Sequence, residues 1–175
     1  MKYLYALVFL SMLASCHEKA EEKELKSADE IKSDIGQNLD LWHKAAAEAD
    51  FDRYFNLMTQ DGVFLGTDAT ENWQNADFKS FSKPYFDKGK AWSFTAIERN
   101  IYLSDDKSIA WFDELLDTQM KICRGSGVMM LEDDSWKVKH YVLSIAIPND
   151  QVKQVIELKK DFDSLLTKNL KIKYN

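Results

Sequence analysis

The sequence predicts an α+β domain, because helix-forming and strand-forming patterns occupy different parts of the chain. Between residues 27 and 89, apolar residues recur every three or four positions, which is the spacing of amphipathic helices. Between residues 92 and 145, runs rich in β-branched and aromatic residues are separated by pairs of adjacent aspartates, which indicate strands joined by tight turns. Helices followed by consecutive strands favour an antiparallel sheet with helices packed on it.

Two helices are predicted first. Ser27 and Glu30 have the spacing of a capping box, so the first helix should begin at Ser27. Asp50 is placed to cap the second helix, and the pair Asp61 and Gly62 predicts a turn that ends it. The apolar faces expected to point inward contain Ile31, Ile35, Leu39, Trp42, Ala45 and Ala46 in the first helix, and Phe51, Tyr54, Phe55 and Met58 in the second.

A short strand over residues 63–65 and a polar loop over residues 66–73 are predicted next. Asn75 is a candidate cap for a third helix that carries Phe78, Phe81 and Tyr85. Pro84 removes a backbone donor, so we expect it to break or kink this helix before Gly89.

The sheet should then contain strands over residues 92–97, 100–103, 109–118, 122–131 and 136–145. Pro148 and Asn149 open a last helix, expected to carry Val152, Val155, Ile156, Phe162 and Leu166 on one side.

The amino-terminal segment resembles the signal peptide of a bacterial lipoprotein. Lys2 precedes an apolar run over residues 3–13, which is too short to span a bilayer. The run ends in Leu13, Ala14, Ser15 and Cys16, the lipobox pattern, although an ordinary cleavage site or a coincidental cysteine gives the same letters. We therefore predict removal of residues 1–15, acylation of Cys16, and a charged tether over residues 16–26.

This anchor would place the protein in the bacterial cell envelope. His17 follows Cys16 where an aspartate would favour retention at the inner membrane, so we expect the outer membrane, facing the periplasm. The formal charge of −6 disfavours nucleic-acid partners and electrostatic adhesion to anionic lipid. Cys123 would be the single thiol of the mature chain, which predicts no internal disulfide.

Four segments of the chain carry a resemblance to a known family. They are residues 41–73 with GTDATE, AWFDE (110–114), CRGSGV (123–128) and WKVKHYVLSIAIPND (136–150). These segments resemble the SnoaL-like branch of the nuclear-transport-factor-2-like (NTF2-like) superfamily. The resemblance covers about residues 31–150, and the predicted domains are therefore 27–150 for the SnoaL-like domain and 151–175 for a terminal helix.

The resemblance implies a cone, in which a strongly curved antiparallel sheet wraps around the amino-terminal helices, as in cystatin-like and NTF2-like folds. A pocket lies in the open end of such cones. Members of this superfamily include ketosteroid isomerase, scytalone dehydratase, limonene epoxide hydrolase, polyketide cyclases and non-catalytic modules. The fold therefore does not settle the function.

Strand alternation predicts which side chains face the interior of the cone. If Lys137 and Lys139 face water, then Trp136, Val138, His140, Val142 and Ser144 face the helices. Pairing Asp113 with Ser126 brings one set of residues to that face, and a slip of one residue replaces it with another. The first set is Trp111, Asp113, Arg124, Ser126 and His140, and the alternative is Phe112, Glu114, Gly127 and Tyr141.

Asp113 and His140 are the candidate catalytic acid and base, with Arg124 stabilising negative charge. The competing interpretation is a structural or ligand-orienting network of the same residues. His43 is expected at the surface, near the mouth of the cone. No histidine pair has ligand spacing, so neither a metal nor a cofactor is predicted.

The abundance of aromatic residues suggests a pocket for an apolar, flat or cyclic ligand. The predicted ligand-pocket residues are Trp42, Trp73, Phe78, Tyr85, Trp92, Trp111, Arg124 and Ser126. Tyr141, Leu143 and Ile145 form the opposite, apolar face of the last strand, which a second subunit or the terminal helix must cover. We expect the second subunit, hence a homodimer.

The leading hypothesis is thus a lipid-anchored protein that binds a small, largely apolar molecule. The alternatives are a cofactor-independent isomerase, cyclase or dehydratase, and a structural association module.

Overall fold

A computed structural model describes residues 26–174 of the 175-residue chain. The predicted signal peptide, the acylated Cys16 and all of the tether except its last residue lie outside the described residues. The elements are α1 (Ala28–Ala47), α2 (Phe51–Asn56), β1 (Met58–Leu65), β2 (Asn72–Gln74), α3 (Asn75–Asp87), β3 (Phe94–Leu103), β4 (Ile109–Thr118), β5 (Lys121–Glu132), β6 (Ser135–Ile145), a 3₁₀ turn (Asn149–Gln151) and α4 (Val152–Tyr174).

Helix α1 begins as the sequence predicts. The backbone N–H of Glu30 donates to Ser27 Oγ at 3.3 Å, and the backbone N–H of Ser27 donates to Glu30 Oε2 at 2.8 Å. This capping box satisfies free donors at the start of the helix. All six apolar residues predicted to point inward are buried, so the helical pattern of α1 is confirmed.

The short helix α2 is capped by Asp50, as predicted. The prediction of a turn at Asp61 and Gly62 is wrong. Strand β1 continues through both residues with an irregularity. Met58 pairs with Val138 and Val63 pairs with His140, so the intervening residues of β1 form a bulge. A Cβ at Gly62 would lie 3.1 Å from the carbonyl oxygen of Thr59 and 3.3 Å from that of Val138, so glycine allows the close approach of backbone at this bulge.

The start of α3 differs from the prediction, whereas the helix ends before Gly89 as expected. Gln74 occupies the cap position, while Asn75 is buried in the first turn and donates from Nδ2 to the carbonyl of Thr59. Pro84 does not break the helix, which continues to Asp87. Pro84 lies on the exposed side, so its ring and the carbonyl that loses its partner face water.

The six strands form one sheet in the order β2-β1-β6-β5-β4-β3. Neighbouring strands are antiparallel except β1 and β6, which are parallel. The two strands predicted before residue 104 are one strand, β3, with a bulge at Ile97. Helices α1, α2 and α3 contribute the buried side chains that cover one face of this sheet. The α+β fold class is confirmed.

The faces of the central strands are opposite to the favoured prediction. Asp113 does pair with Ser126, but the buried residues of β4 are Ala110, Phe112, Glu114, Leu116 and Thr118. The buried residues of β5 are Cys123, Gly125, Gly127 and Met129. The alternative set therefore faces the helices. The favoured set lies on the outer face of the sheet and consists of Trp111, Asp113, Arg124, Ser126 and His140.

Two local features of the last hairpin explain this error. Asp133 and Asp134 both have positive φ and form a two-residue turn, which aligns Val138 with Met129. Val128 then pairs with His140, which makes Lys139 an extra residue in β6. This bulge reverses the alternation, so His140 points outward and Tyr141 inward.

The prediction that Tyr141, Leu143 and Ile145 form an uncovered apolar face of β6 is therefore wrong in part, because Tyr141 and Leu143 are buried against the helices. Helix α4 covers neither face, since none of its residues is buried. Over residues 26–174, no helix is both long and apolar enough to cross a membrane.

Candidate functional site

A cavity of about 260 Å³ opens between α3, the loop after β1, and the ends of the central strands. The loop over residues 66–71 contributes polar residues to its lining, and β2 and α3 contribute the aromatic residues Trp73, Phe81 and Tyr85. The lining consists of Phe64, Gly66, Thr67, Glu71, Trp73, Phe78, Phe81, Tyr85, Ala91, Trp92, Phe94, Gln119, Met120 and Leu143.

The floor of the cavity is a stack of buried rings. Phe64 and Phe78 lie face to face, with ring centroids 4.2 Å apart and planes at 11°. Phe78 in turn lies nearly parallel to Trp92, at 5.8 Å. The faces of these rings cover one another, and Phe78 is only 1% exposed, so the stack forms a rigid apolar floor beneath the cavity.

The rim carries exposed aromatic residues. Trp73 stacks on Phe81 at 4.7 Å, and Phe81 contacts Tyr85 at 5.6 Å. Phe81 and Tyr85 are exposed although they lie beside the cavity. Large apolar side chains that remain in water around a concave site are typical of ligand-binding surfaces.

Polar groups are few around the cavity, and most are occupied locally. The backbone N–H of Gly66 donates to the carbonyl of Glu71, and Asp68 accepts bonds from the N–H and hydroxyl of Thr70. The hydroxyl and N–H of Thr70 lower the pKa of Asp68. These bonds close the loop on itself, so Thr67, Glu71 and Gln119 are the polar residues that line the cavity.

Four predicted pocket residues line this cavity: Trp73, Phe78, Tyr85 and Trp92. Trp42 does not, because it lies in the core, stacked on Tyr54. Trp111, Arg124 and Ser126 lie on the outer face of the sheet, where Trp111 stacks on Tyr102 at 5.9 Å.

The candidate catalytic residues do not converge. Asp113 accepts a hydrogen bond from Asn100 Nδ2 at 3.2 Å on the outer face, and His140 lies on the same face. The cavity is on the inner face, so the sheet separates both residues from it. The prediction that they meet inside the cone is wrong, because it depended on the register that the last hairpin reverses.

The inner face instead holds a buried carboxylate, Glu114. It accepts hydrogen bonds from His43 Nε2 at 2.8 Å, Arg99 Nε at 2.9 Å and Tyr141 Oη at 3.0 Å. Arg99 also donates from Nη1 to Asp40 and to the carbonyl of Gly36 on α1. The network therefore ties α1 to the middle of the sheet.

The charges in this network follow from its geometry. Burial raises the pKa of the Glu114 carboxyl, but the hydrogen bond from His43 and the positive charge of Arg99 outweigh burial, so the pKa is lowered. An ionised carboxylate only accepts, which places a proton on His43 Nε2. Burial and the charge of Glu114 raise the pKa of Tyr141, which keeps the phenol neutral.

The expectation that His43 is a surface residue is wrong, since it is almost completely buried. A signal was available in the sequence, because His43 follows Leu39 by four residues and so falls on the inner stripe of α1. The local sequence does not predict that Arg99 binds Glu114, the partner of His43, because Arg99 lies on a strand that is distant in the sequence.

Among residues 26–174, no cluster of three or more histidine, cysteine, aspartate or glutamate side chains is arranged to hold a metal ion. Cys123 is buried, and its Sγ lies 3.5 Å from the hydroxyl of Thr118.

The comparison with protein families identifies the class of this domain. The SnoaL-like domain matches residues 35–148, which is more than half of the chain. The chain belongs to the SnoaL-like domain family. Among curated proteins, no sequence matches it.

Solved structures with the same fold are distant in sequence. An NTF2-like protein of unknown function from Pseudomonas putida KT2440 has a TM-score of 0.59 at 12% identity, over 72% of this chain and 94% of that one. A proposed dehydratase of the NTF2-like family from Streptomyces avermitilis has a TM-score of 0.59 at 12% identity, over 70% and 100%.

The association domain of C. elegans CaMKII has a TM-score of 0.56 at 18% identity, over 67% of this chain and 97% of that domain. These similarities establish the NTF2-like fold, and at such low identities they establish nothing further. The superfamily implied by the sequence is supported by the match to the SnoaL-like domain together with this shared fold.

Proposed function

We propose that the domain binds a small, largely apolar molecule with a flat or ring-shaped part in the cavity between α3 and the end of the sheet. The observation that carries this proposal is the aromatic lining, in which parallel buried rings form the floor and exposed rings form the rim. Such surfaces gain contact area without ordering flexible side chains.

The size and polarity of the cavity restrict the ligand further. Its volume of about 260 Å³ lies just below the ~300–1,000 Å³ of common ligand pockets. We therefore expect one or two rings with at most a few polar groups. The backbone N–H of Asp68 donates to Glu71 Oε2 and that of Ser93 donates to Gln119 Oε1. The groups that remain to orient the ligand are the hydroxyl of Thr67 and Gln119 Nε2, which can donate to a carbonyl, and Glu71 Oε1, which can accept from a hydroxyl.

Binding is favoured over acid–base catalysis by Asp113 and His140, because these residues lie on the other face of the sheet from the cavity. It is also favoured over a purely structural module, which would not require an open aromatic cavity. The proposed dehydratase from Streptomyces avermitilis shares the fold, but its low identity carries no activity to this chain.

The binding proposal is tested with 2-naphthol as the probe, by following the change in tryptophan fluorescence on titration. Tyr85→Ala and Phe81→Ala each remove one exposed ring from the rim of the cavity, and we expect each to weaken binding of the probe ~10-fold. Trp111→Ala is the matched control, because Trp111 is an exposed, stacked ring on the outer face. Unchanged affinity in the rim variants, or an equal loss in the control, would contradict the proposal.

We also propose that the chain is anchored in the bacterial cell envelope through acylation of Cys16, at the outer membrane and facing the periplasm. The lipobox Leu13, Ala14, Ser15 and Cys16 supports this proposal. A diacylglycerol plus an amide-linked acyl chain would hold the protein stably, since each buried methylene adds ~0.8 kcal/mol.

The anchor is tested by detergent phase partitioning of the wild type and Cys16→Ser, followed by separation of inner and outer membranes. We expect the wild type in the detergent phase and in the outer-membrane fraction, and the variant in the aqueous phase. A variant that stays in the detergent phase would refute acylation at Cys16.

A further inference from the structure

A polar cleft lies between the carboxyl-terminal half of α1 and the start of β3. Its volume is about 430 Å³, which is within the ~300–1,000 Å³ of common ligand pockets. Phe94 lines both this cleft and the aromatic cavity, so the two spaces are neighbours. The rest of the cleft is different in character, because its walls carry His43, Ser93 and Thr95 in place of a cluster of aromatic rings.

His43 is held in one orientation at the wall of this cleft. It is only 3% exposed, and its Nε2 donates to Glu114 at 2.8 Å. The rings of Phe94 and Tyr141 pack against the imidazole, with centroids 5.7 and 6.2 Å away. A histidine that donates from one ring nitrogen to a carboxylate has its tautomer and its ring direction fixed.

The other ring nitrogen of His43 lacks a partner. With the proton on Nε2, Nδ1 of a neutral imidazole carries an acceptor lone pair. Among residues 26–174, no group donates a hydrogen bond to Nδ1. Nδ1 is also not among the unpartnered side-chain atoms that are sealed from solvent, such as Trp42 Nε1 and Tyr54 Oη, so it is open to the cleft. A molecule in the cleft can therefore supply the missing donor.

The charges beside the cleft favour an uncharged molecule. Arg99 Nη1 lies 2.9 Å from the carboxylate of Asp40, and Lys44 Nζ lies 3.6 Å from that of Glu48. Asp40 and Lys44 both line the cleft, so an ion of either sign would meet one like charge on this side of α1. A neutral molecule meets no such repulsion.

We propose that the cleft is a second binding site, which takes a small, uncharged, hydroxyl-bearing molecule whose O–H donates to His43 Nδ1. Ser93 and Thr95 also line the cleft, and a hydroxyl group can donate to or accept from such residues. Glu114 is a positioning residue for this site, because it holds the proton of His43 on Nε2. The site does not depend on the apolar ligand proposed for the aromatic cavity.

The contact is tested by NMR of the imidazole nitrogens in the full chain carrying Cys16→Ser, with glucose as the probe. The chain has three histidines, so few signals need assignment. At about pH 8, where histidine ordinarily carries a single proton, glucose should shift the Nδ1 signal of His43 saturably. His140, on the outer face of the sheet, is the internal control and should not respond. A proton on Nδ1, no shift, or an equal shift of His140 would overturn the proposal.

A space-filling variant tests the location of the site. Ala47 is exposed and lines the cleft at the end of α1, where leucine suits a helix well. Ala47→Leu should remove the saturable shift with glucose, while Ala76→Leu, at an exposed position of α3, is the matched control and should keep it. Binding that survives Ala47→Leu would overturn the proposal. The fluorescence titration of Ala47→Leu with 2-naphthol should match that of the wild type, which keeps the test of this site separate from that of the aromatic cavity.

Discussion

Glu114 is the residue whose environment most clearly joins distant parts of this chain. Its side chain is completely buried in the sheet, and its hydrogen-bond donors come from a helix and from strands on either side. A buried carboxylate is tolerated only when such donors satisfy it. We therefore expect the network to act as a specific link between α1 and the sheet.

Replacing Glu114 should reveal the strength of this link. Glu114→Ala leaves Arg99 and His43 buried without their anionic partner, so we expect a loss of about 3–5 kcal/mol in the free energy of unfolding. Asp113→Ala, the neighbouring carboxylate on the outer face, should cost less than about 1 kcal/mol. Urea unfolding of both variants measures the loss in the free energy of unfolding. Similar losses for the two variants would show that the network adds no stability of its own.

The free energy of unfolding should depend on pH in the acidic range because Glu114 titrates there. Its folded-state pKa is lowered below the ordinary value of 4.5. The stabilisation is thus present above the unfolded pKa and is lost as the pH falls through the folded pKa. The difference in unfolding free energy between wild type and Glu114→Gln should be constant above about pH 5 and shrink below about pH 4.5. A difference independent of pH between 3 and 7 would contradict an ionised Glu114.

At the scale of elements, the bulges of β1 and β6 decide which side chains reach the interior. Lys139 is the extra residue that turns Tyr141 inward, and the irregularity of β1 lies opposite it. Glycines on the inner face of β5 then give the neighbouring strands room. A Cβ at Gly127 would lie 2.3 Å from the carbonyl of His140, and one at Gly125 would lie 2.2 Å from Tyr141 Oη.

Gly127→Ala should therefore destabilise the sheet. The added methyl meets backbone and the ring of Phe112 at 2.9 Å, neither of which moves freely, so we expect a cost of about 1–3 kcal/mol. Ser126→Ala is the control on the outer face and should be nearly neutral. Thermal unfolding monitored by circular dichroism distinguishes the two, and a neutral Gly127→Ala would mean that the strands separate easily.

At the scale of the whole molecule, the SnoaL-like domain has a hydrophobic core and α4 lies outside it. The domain has a continuous core of helix and strand residues, whereas α4 adds no buried residue to it. The stability of the domain should therefore be largely independent of α4.

A chain ending at Gln151 tests this division. Because α4 contributes no buried residue to the core, we expect the truncated chain to have nearly the same urea midpoint as the full-length chain. A truncated protein that is unfolded at every concentration would show that α4 is required by the domain.

Local chemistry was sufficient to predict much of this protein from its sequence. The capping box of α1, the inward stripe of that helix, the aspartate turns and the α+β order all depend on residues close together in the chain. Trp73, Phe78, Tyr85 and Trp92, which line the cavity, were also among the predicted pocket residues, because the many aromatic residues of the chain suggested an apolar pocket.

Only the tertiary structure decided which face of each strand is buried. Alternation fixes which residues share a face, but a single bulge at Lys139 and a two-residue turn determine which face it is. These features arise from pairing between strands, so no one segment contains them. The sequence by itself determined that the chain forms an NTF2-like α+β domain, because the local patterns of its helices and strands are sufficient for that. The burial of Glu114 with His43, Arg99 and Tyr141 required the complete fold, because these residues meet only when distant segments pack together.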